Sequence, residues 1–201
     1  MIPQDAAGFV AVSFLGLVLG SFATALAHRL PRGIPVAGAV RSRCPCCSAA
    51  LSAADLVPLL SWVFLRGKCR HCGASIGWQY PATELATLAL CLFFYPVYGL
   101  RVETAAVYAL APVFTALAAI DLRHKIIPDV LNAAVAAVAV IAAFVAALAA
   151  VDPLQTFGTS FLSIIAAAAA YGLGAAALRA GMMLALRREP MGLGDVKFFA
   201  A

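Results

Sequence analysis

The side chains in this sequence that could do chemistry are cysteine thiols and a few carboxylates. Five of the six cysteines lie within residues 44–72, and four of them form two C-x2-C pairs, in C-P-C-C at 44–47 and C-R-H-C at 69–72. Such a pair points two thiolates at one ion from a tight turn, and two pairs supply the tetrahedral four-thiolate site that suits zinc. The spacing therefore predicts a structural zinc site, with these ligands: Cys44, Cys47, Cys69 and Cys72.

The sequence alone leaves alternatives to this ligand set open. The thiols could instead form two disulfides or stay unpaired, and Cys46 could replace Cys47 as a ligand. We expect His71 to be exposed, because four thiolates already fill a tetrahedral site. The sixth cysteine, Cys91, lies in an apolar run and is expected to be a buried thiol.

Two carboxylates, Asp121 and Asp195, are the candidates for catalysis. Each lies at one end of an apolar run, and a carboxylate at membrane depth is costly and therefore a functional candidate. Two close carboxyls share a proton, so that one can deprotonate a water while the other polarises a peptide carbonyl. That is the chemistry of an aspartic protease, and Gly192 and Gly194 would permit close backbone approach beside Asp195.

An Asp at a helix end can also be a simple cap or a partner of the helix dipole. We prefer this interpretation for Asp129, which follows Pro128 at the start of an apolar run. Glu84 lies about one turn inside another run. An interhelical hydrogen bond or a partner in the cysteine-rich segment would account for a carboxylate at this position.

The elements that must position these groups are membrane spans. Of the 201 residues, 64% are apolar and 11% charged, and the mean hydropathy is +0.98, which excludes a soluble globule and a disordered chain. A crossing helix needs about 20 apolar residues. Five stretches qualify, and a sixth begins at Val196; the five are residues 9–27, 80–99, 104–120, 130–151 and 158–178. We therefore predict an all-α polytopic membrane protein, with five spans plus the start of a sixth.

The basic residues predict the orientation. If the spans alternate, 13 of the 14 Lys and Arg fall on one side and only Arg101 on the other, so that side is cytoplasmic and the N-terminus is outside. Both aspartates and the cysteine-rich segment share the cytoplasmic face, where thiols stay reduced and metal binding is favoured. Residues 25–27 look like a signal-peptidase site, but no Lys or Arg precedes residue 9, which disfavours cleavage.

Residues 28–79 form a cytoplasmic insert between the first span, residues 1–27, and the rest of the chain. Within it, the apolar run 56–65 (LVPLLSWVFL) is too short to cross a bilayer. It is either the small core of the zinc module or a segment that lies on the membrane.

The motifs together are similar to those of the prepilin leader peptidases, polytopic aspartic proteases of type IV pilus and type II secretion systems. They occur in family order over nearly the whole chain: G-S-F at 20–22, R-L-P at 29–31, R-S-R-C-P-C-C at 41–47, L-S-W at 60–62, R-G-K-C-R-H-C-G at 66–73, Y-P at 80–81 followed by Glu84, I-D at 120–121, P-D at 128–129 and G-L-G-D-V-K at 192–197.

The resemblance implies that Asp121 and Asp195 are the catalytic pair and that the four cysteines hold zinc. The substrate would be a prepilin or pseudopilin, cut at the cytoplasmic face of the bacterial inner membrane between its basic leader and its apolar helix, usually after Gly. Many members are bifunctional and also N-methylate the new N-terminus with S-adenosylmethionine. No methyl-donor site is assigned, and Glu84 is a candidate only through its family-like context.

The resemblance also makes residues 80–201 the transmembrane peptidase domain. Family members continue beyond the second aspartate, so we expect this domain to be truncated at its C-terminus.

The alternative function is a non-catalytic membrane scaffold whose zinc module binds a partner. A transporter would place polar groups near the midplane, and a nucleic-acid partner is not expected, because no aromatic stacking series is present. Lys125 and Lys197 lie close to the two aspartates in sequence and could tune the pair, but we expect them to face the anionic lipid heads of the bilayer.

Overall fold

The computed structural model describes residues 6–36, 41–102, 104–148, 150–186 and 198, with the backbone alone for 181–186. The described chain is helical, and its only extended pairings are two isolated bridges in the insert. Two short 3-10 turns, Leu30–Arg32 and Ala53–Leu56, accompany the α-helices. The helices are α1 (Ala6–Arg29), α2 (Leu60–Phe64), α3 (Gln79–Tyr98), α4 (Ala105–His124), α5 (Asp129–Leu148) and α6 (Pro153–Leu186).

Five of these helices, all except α2, are long and apolar enough to cross a membrane. The predicted all-α polytopic fold is therefore confirmed. The largest difference is α6, whose 34 residues extend beyond the predicted stretch 158–178 at both ends. At its start, Pro153 occupies the first helical position, where its missing N–H costs nothing, and the Asp152 carboxylate accepts a hydrogen bond from the Gln155 N–H at 3.2 Å. The predicted sixth span at Val196 lies outside the described residues.

The chain divides into two compact units, Met1–His124 and Lys125–Ala201. In the first unit, α1 packs against both α3 and α4. One cluster of buried residues in this unit comprises Val12, Cys91, Tyr95, Tyr108 and Ala111. Cys91 is fully buried, as expected of an apolar thiol.

Hydroxyl groups hold α3 against α4 inside this first unit. Thr87 is fully buried, and its Oγ1 lies 2.8 Å from the Oγ1 of Thr115. Each hydroxyl also reaches a carbonyl of its own helix, at Thr83 and Ala111 respectively. An interhelical hydrogen bond of this kind is worth about 0.6–2 kcal/mol in a membrane protein, and it fixes the facing surfaces of the two helices.

Two glycines on one face of α1 allow α3 to approach closely. A Cβ added to Gly20 would lie 2.8 Å from the Glu84 Cα and 2.9 Å from the Glu84 carbonyl oxygen. At Gly16, one turn earlier, it would lie 3.0 Å from the Leu88 Cα. Small residues spaced by four are the usual way for membrane helices to bring their backbones together.

We therefore expect Gly20→Ala to destabilise the protein. The new methyl group would meet backbone atoms that side-chain rotation does not move, and overpacking of this kind costs about 1–3 kcal/mol. Thermal unfolding of the detergent-purified protein should show a lower midpoint. Gly174→Ala in α6 is the matched control, because no atom of the described residues lies within 4 Å of the added Cβ and Ala is the better helix former. Equal losses in both variants would contradict the packing.

The second unit contains α5 and α6. Pro128 precedes α5, and its carbonyl accepts a hydrogen bond from the Leu131 N–H at 3.0 Å. Asp129 is exposed in the first turn of α5, where a carboxylate favours the helix dipole. The rings of Phe144 and Phe157 meet edge to face, with centroids 6.0 Å apart, and join the two helices.

Candidate functional site

The two C-x2-C pairs adopt the same local turn. In the first, the Cys44 N–H donates to the Ala49 carbonyl at 2.9 Å, and in the second, the Cys69 N–H donates to the Ala74 carbonyl at 2.8 Å. The fourth residue after each first cysteine has a positive φ, 57° at Ser48 and 69° at Gly73. These matching turns, here called the two knuckles (residues 43–50 and 68–75), direct their thiols to one point.

The four predicted ligands form one cluster. The sulfurs of Cys44, Cys47, Cys69 and Cys72 all lie within 4.8 Å of one another, and those of Cys44 and Cys72 are 3.9 Å apart. Tetrahedral zinc with bonds of about 2.3 Å separates its sulfurs by about 3.8 Å. Cys46 is exposed and outside this cluster, so the geometry favours Cys47 as the ligand. His71 is also exposed, as expected.

The ionisation of these thiols fits a cation site. The N–H groups of Cys47 and Cys46 point at the Cys44 sulfur and lower the pKa of that thiol to about 6. The Ala74 N–H acts in the same direction on Cys72. Desolvation and the neighbouring thiols outweigh it and raise the Cys72 pKa to about 12. Four crowded thiols do not all ionise to thiolates unless a positive charge lies among them. A bound Zn²⁺ would supply that charge.

Other residues of the insert contact the second knuckle. The Trp62 indole N–H donates to the Ile76 carbonyl at 3.0 Å, and its ring covers Gly67, where an added Cβ would lie 3.0 Å away. The Arg70 Nε is 2.7 Å from the Asp55 carboxylate. Hydrogen bonds from Ser52 and Arg70 lower the Asp55 pKa to about 2. These contacts tie residues 52–62 to the metal site.

Glu84 connects the insert to a membrane helix. Its Oε2 accepts a hydrogen bond from the Leu59 N–H at 2.7 Å, so of the two predicted alternatives the structure shows the partner in the insert. Leu59 has φ 60° and ψ −49°, and the Leu60 N–H donates to the Pro58 carbonyl at 2.6 Å. This is a classic γ-turn, a rare and strained conformation, which the Glu84 carboxylate helps to hold.

We expect Glu84→Ala to free the Leu59 amide, whereas Glu84→Gln keeps an acceptor in place. A hydrogen bond to a carboxylate is worth about 1.5–3 kcal/mol, so amide exchange at Leu59 should accelerate by about ten- to a hundredfold in the Ala variant. Hydrogen-exchange mass spectrometry of a peptide that contains Leu59 measures this rate. Unchanged exchange in Glu84→Ala would contradict the role of the carboxylate.

Asp121 lies in the last turn of α4, directly after the fully buried Ile120. Its side chain is half-buried, and within the described part of the chain it has no hydrogen-bond or ion-pair partner. A carboxylate so placed is available for chemistry at the membrane edge. Asp195 and Lys197 lie outside the described residues, so the pairing of Asp121 with Asp195 stays a prediction.

A buried amide side chain was also not singled out from the sequence. Asn132 in α5 is 7% exposed, and neither its amide nitrogen nor its amide oxygen has a hydrogen-bond partner among the described residues. The signal in the sequence was a lone amide within the apolar stretch 130–151. A buried amide of this kind is costly unless it meets a partner.

The fold and the site define a class, the polytopic helical membrane proteins with a four-thiol metal module. Comparison with known families makes the assignment specific. Residues 14–98 match the Bacterial Peptidase A24 N-terminal domain, and residues 108–201 match the Type IV leader peptidase family. The chain belongs to the type IV leader peptidase family.

Three relatives share the name "Prepilin leader peptidase/N-methyltransferase". The protein from Burkholderia pseudomallei (strain 1026b) is 37% identical over 142 residues, which are 59% of this chain and 46% of that protein. The Bacillus subtilis (strain 168) relative is 30% identical over 185 residues, 92% of this chain and 68% of its own length. The Dickeya chrysanthemi relative is 30% identical over an alignment of 218 residues, which covers 96% of this chain and 72% of that protein. The chain thus spans about half of the first relative and about two thirds or more of the other two. No solved structure matches significantly.

Proposed function

We propose that the full-length protein is a membrane aspartic endopeptidase that removes the basic leader from type IV prepilins and pseudopilins. The observation that carries this proposal is membership of the type IV leader peptidase family, whose two domains match in order along the chain. The half-buried Asp121 at the end of α4 supports it, because a proteolytic carboxylate must be accessible to a substrate at the membrane edge.

Asp121 and Asp195 are the proposed catalytic pair. The ionised carboxylate takes a proton from a water molecule, which attacks the scissile carbonyl, while the protonated carboxyl donates its hydrogen to the carbonyl oxygen. The resulting tetrahedral intermediate collapses when the amide nitrogen is protonated and leaves as the new N-terminus. No covalent acyl-enzyme forms, and the two carboxyls end with one proton between them.

Cys44, Cys47, Cys69 and Cys72 would hold zinc, which neutralises the thiolates and links the two knuckles. The proposed role of the metal is structural. It would keep the insert folded at the N-terminal end of α3 and take no part in the proteolytic step.

We further propose that these groups face the cytoplasm and that the protein is a multi-pass protein of the bacterial inner membrane. The one-sided distribution of Lys and Arg supports this orientation. Prepilin helices lie in the same membrane, so the cut between the basic leader and the apolar helix falls at the level of Asp121.

N-methylation of the new N-terminus with S-adenosylmethionine is the finer part of the proposal. It is supported by the names of the relatives, which include N-methyltransferase, and by the cysteine insert that resembles that of bifunctional members. No residue of this chain is assigned to the methyl donor.

Coexpression tests the proposal in cells. A prepilin produced in a host without its own leader peptidase should be shortened only when this protein is present, and Edman sequencing of the shortened form gives the cut site. If the prepilin stays full-length although the protein is found in the membrane, the endopeptidase assignment is wrong and a scaffold role becomes the better account.

A further inference from the structure

The insert presents an unusually apolar surface. Five residues of its apolar run are exposed: Leu56 (42%), Val57 (41%), Leu60 (55%), Val63 (61%) and Phe64 (80%). We call these five residues the 56–64 face. Soluble surfaces rarely collect so many large apolar side chains in one place, so this face needs an apolar neighbour that the insert itself does not supply.

The hydrogen bond from Leu59 to Glu84 sets the depth of this face. With 20 residues, α3 is about 30 Å long, which matches the hydrocarbon thickness of a bilayer. Glu84 comes five residues after the first residue of α3, about 7.5 Å along its axis. Because the Leu59 N–H is only 2.7 Å from the Glu84 carboxylate, the chain around Leu59 lies at that same level, within the boundary region of the membrane.

The γ-turn at Leu59 then leads directly into α2, whose two sides differ. Trp62 faces the zinc module, since its indole N–H bonds to Ile76 and its ring covers Gly67. Leu60, Val63 and Phe64 are spaced by three and four residues, and all three are exposed. Residues with this spacing share one side of a helix, which here is turned away from the module.

Basic side chains follow the apolar face at once. Arg66, Lys68 and Arg70 are all exposed. Because Arg70 pairs with the Asp55 carboxylate, Arg66 and Lys68 supply most of the positive charge beside the face. Apolar residues beside a row of Lys and Arg are typical of a segment that lies in a membrane interface, with its apolar side among the acyl chains and its charges at anionic headgroups. The spanning helices α1 and α3, in the same packed unit, place this bilayer beside the insert.

We propose that the 56–64 face is inserted in the lipid interface and anchors the metal module to the anionic membrane surface. Lipid is the occupant because α3 is long and apolar enough to cross the bilayer, and its exposed side would border the acyl chains near the level of Glu84. The Leu59–Glu84 hydrogen bond holds the anchor at this depth. The proposal does not depend on the peptidase assignment.

Fluorescence quenching by brominated lipid tests the anchor in the full-length, zinc-loaded protein. Trp62 and Trp78 are the two tryptophans of the sequence, so Trp78→Phe leaves one indole, which faces the module. Phe64→Trp in this background adds a reporter on the 56–64 face. Ala50→Trp, at an exposed position beside Arg43 on the first knuckle, adds a matched control. Each variant is reconstituted in vesicles of phosphatidylglycerol and dibrominated phosphatidylcholine.

The added emission of Phe64→Trp should fall by at least about half with bromines near the headgroup end of the acyl chain, because an interfacial helix inserts about 5–10 Å. The emission added by Ala50→Trp should change little and stay accessible to aqueous acrylamide. Equal, weak lipid quenching of both reporters would overturn the proposal and leave the face open to water and to a protein partner. Zinc content verifies folding, and Val63→Trp on the same face replaces Phe64→Trp if that variant loses zinc.

Discussion

Replacing Asp121 by Asn should abolish leader cleavage, with a loss of at least about a thousandfold in rate. An amide has the shape of the carboxyl, but it neither ionises to accept a proton from water nor shares a proton with a second carboxyl. Because no described residue bonds to the Asp121 side chain, we expect the variant to insert and fold as the wild type does. Asp195→Asn should have the same effect on cleavage.

Asp129→Asn is the matched control for this experiment. It makes the same chemical change eight residues further on, at an exposed position in the first turn of α5. We expect a small loss of helix stability, because a dipole partner is removed, and a cleavage rate close to that of the wild type. Wild-type rates in Asp121→Asn, or an equal loss in Asp129→Asn, would contradict the assignment of the catalytic pair.

Removing a single thiol from the cluster should remove the metal. The binding free energy of structural zinc in small modules is about 10–16 kcal/mol. This free energy depends on a complete tetrahedral set of ligands. We expect the wild-type protein to contain about one zinc per chain and Cys72→Ser to contain little or none. Elemental analysis of the purified protein measures the metal content, and limited proteolysis of residues 41–78 reports the loss of the folded insert.

Cys46→Ser is the control for the zinc prediction. Cys46 is adjacent to a proposed ligand, yet it is exposed and lies outside the group of four sulfurs. Its substitution should leave the zinc content and the protease resistance unchanged. If Cys46→Ser loses zinc while Cys47→Ser keeps it, the ligand register inferred from the geometry is wrong.

Much of this architecture follows from local sequence. The spans are apolar runs of the length that a bilayer requires, and the two knuckles repeat one short turn, so both were predictable from spacing. The start of α6 was missed because Asp152 and Pro153 act as a helix start signal beyond the apolar run. The choice of Cys47 over Cys46 as the zinc ligand required the structure, because it depends on where two turns 25 residues apart direct their thiols.

The features that sequence reasoning missed arise from long-range contacts. Nothing local predicts a γ-turn at Leu59, because one of the contacts that offset the strain of a positive φ at a leucine comes from a carboxylate 25 residues away. Likewise, Gly20 is one of 15 glycines in the sequence, and only the packed structure shows that its Cβ position is filled by the backbone of Glu84.

The measurement that tests the central claim most directly uses the purified, full-length protein reconstituted in lipid with a prepilin as substrate. Intact mass spectrometry follows the substrate over time, with and without S-adenosylmethionine. We expect the mass of the basic leader to be lost in both reactions, and a methyl-sized gain on the mature pilin when the methyl donor is present. A prepilin that keeps its full mass with zinc-loaded, folded protein would contradict the claim that this protein is a leader peptidase.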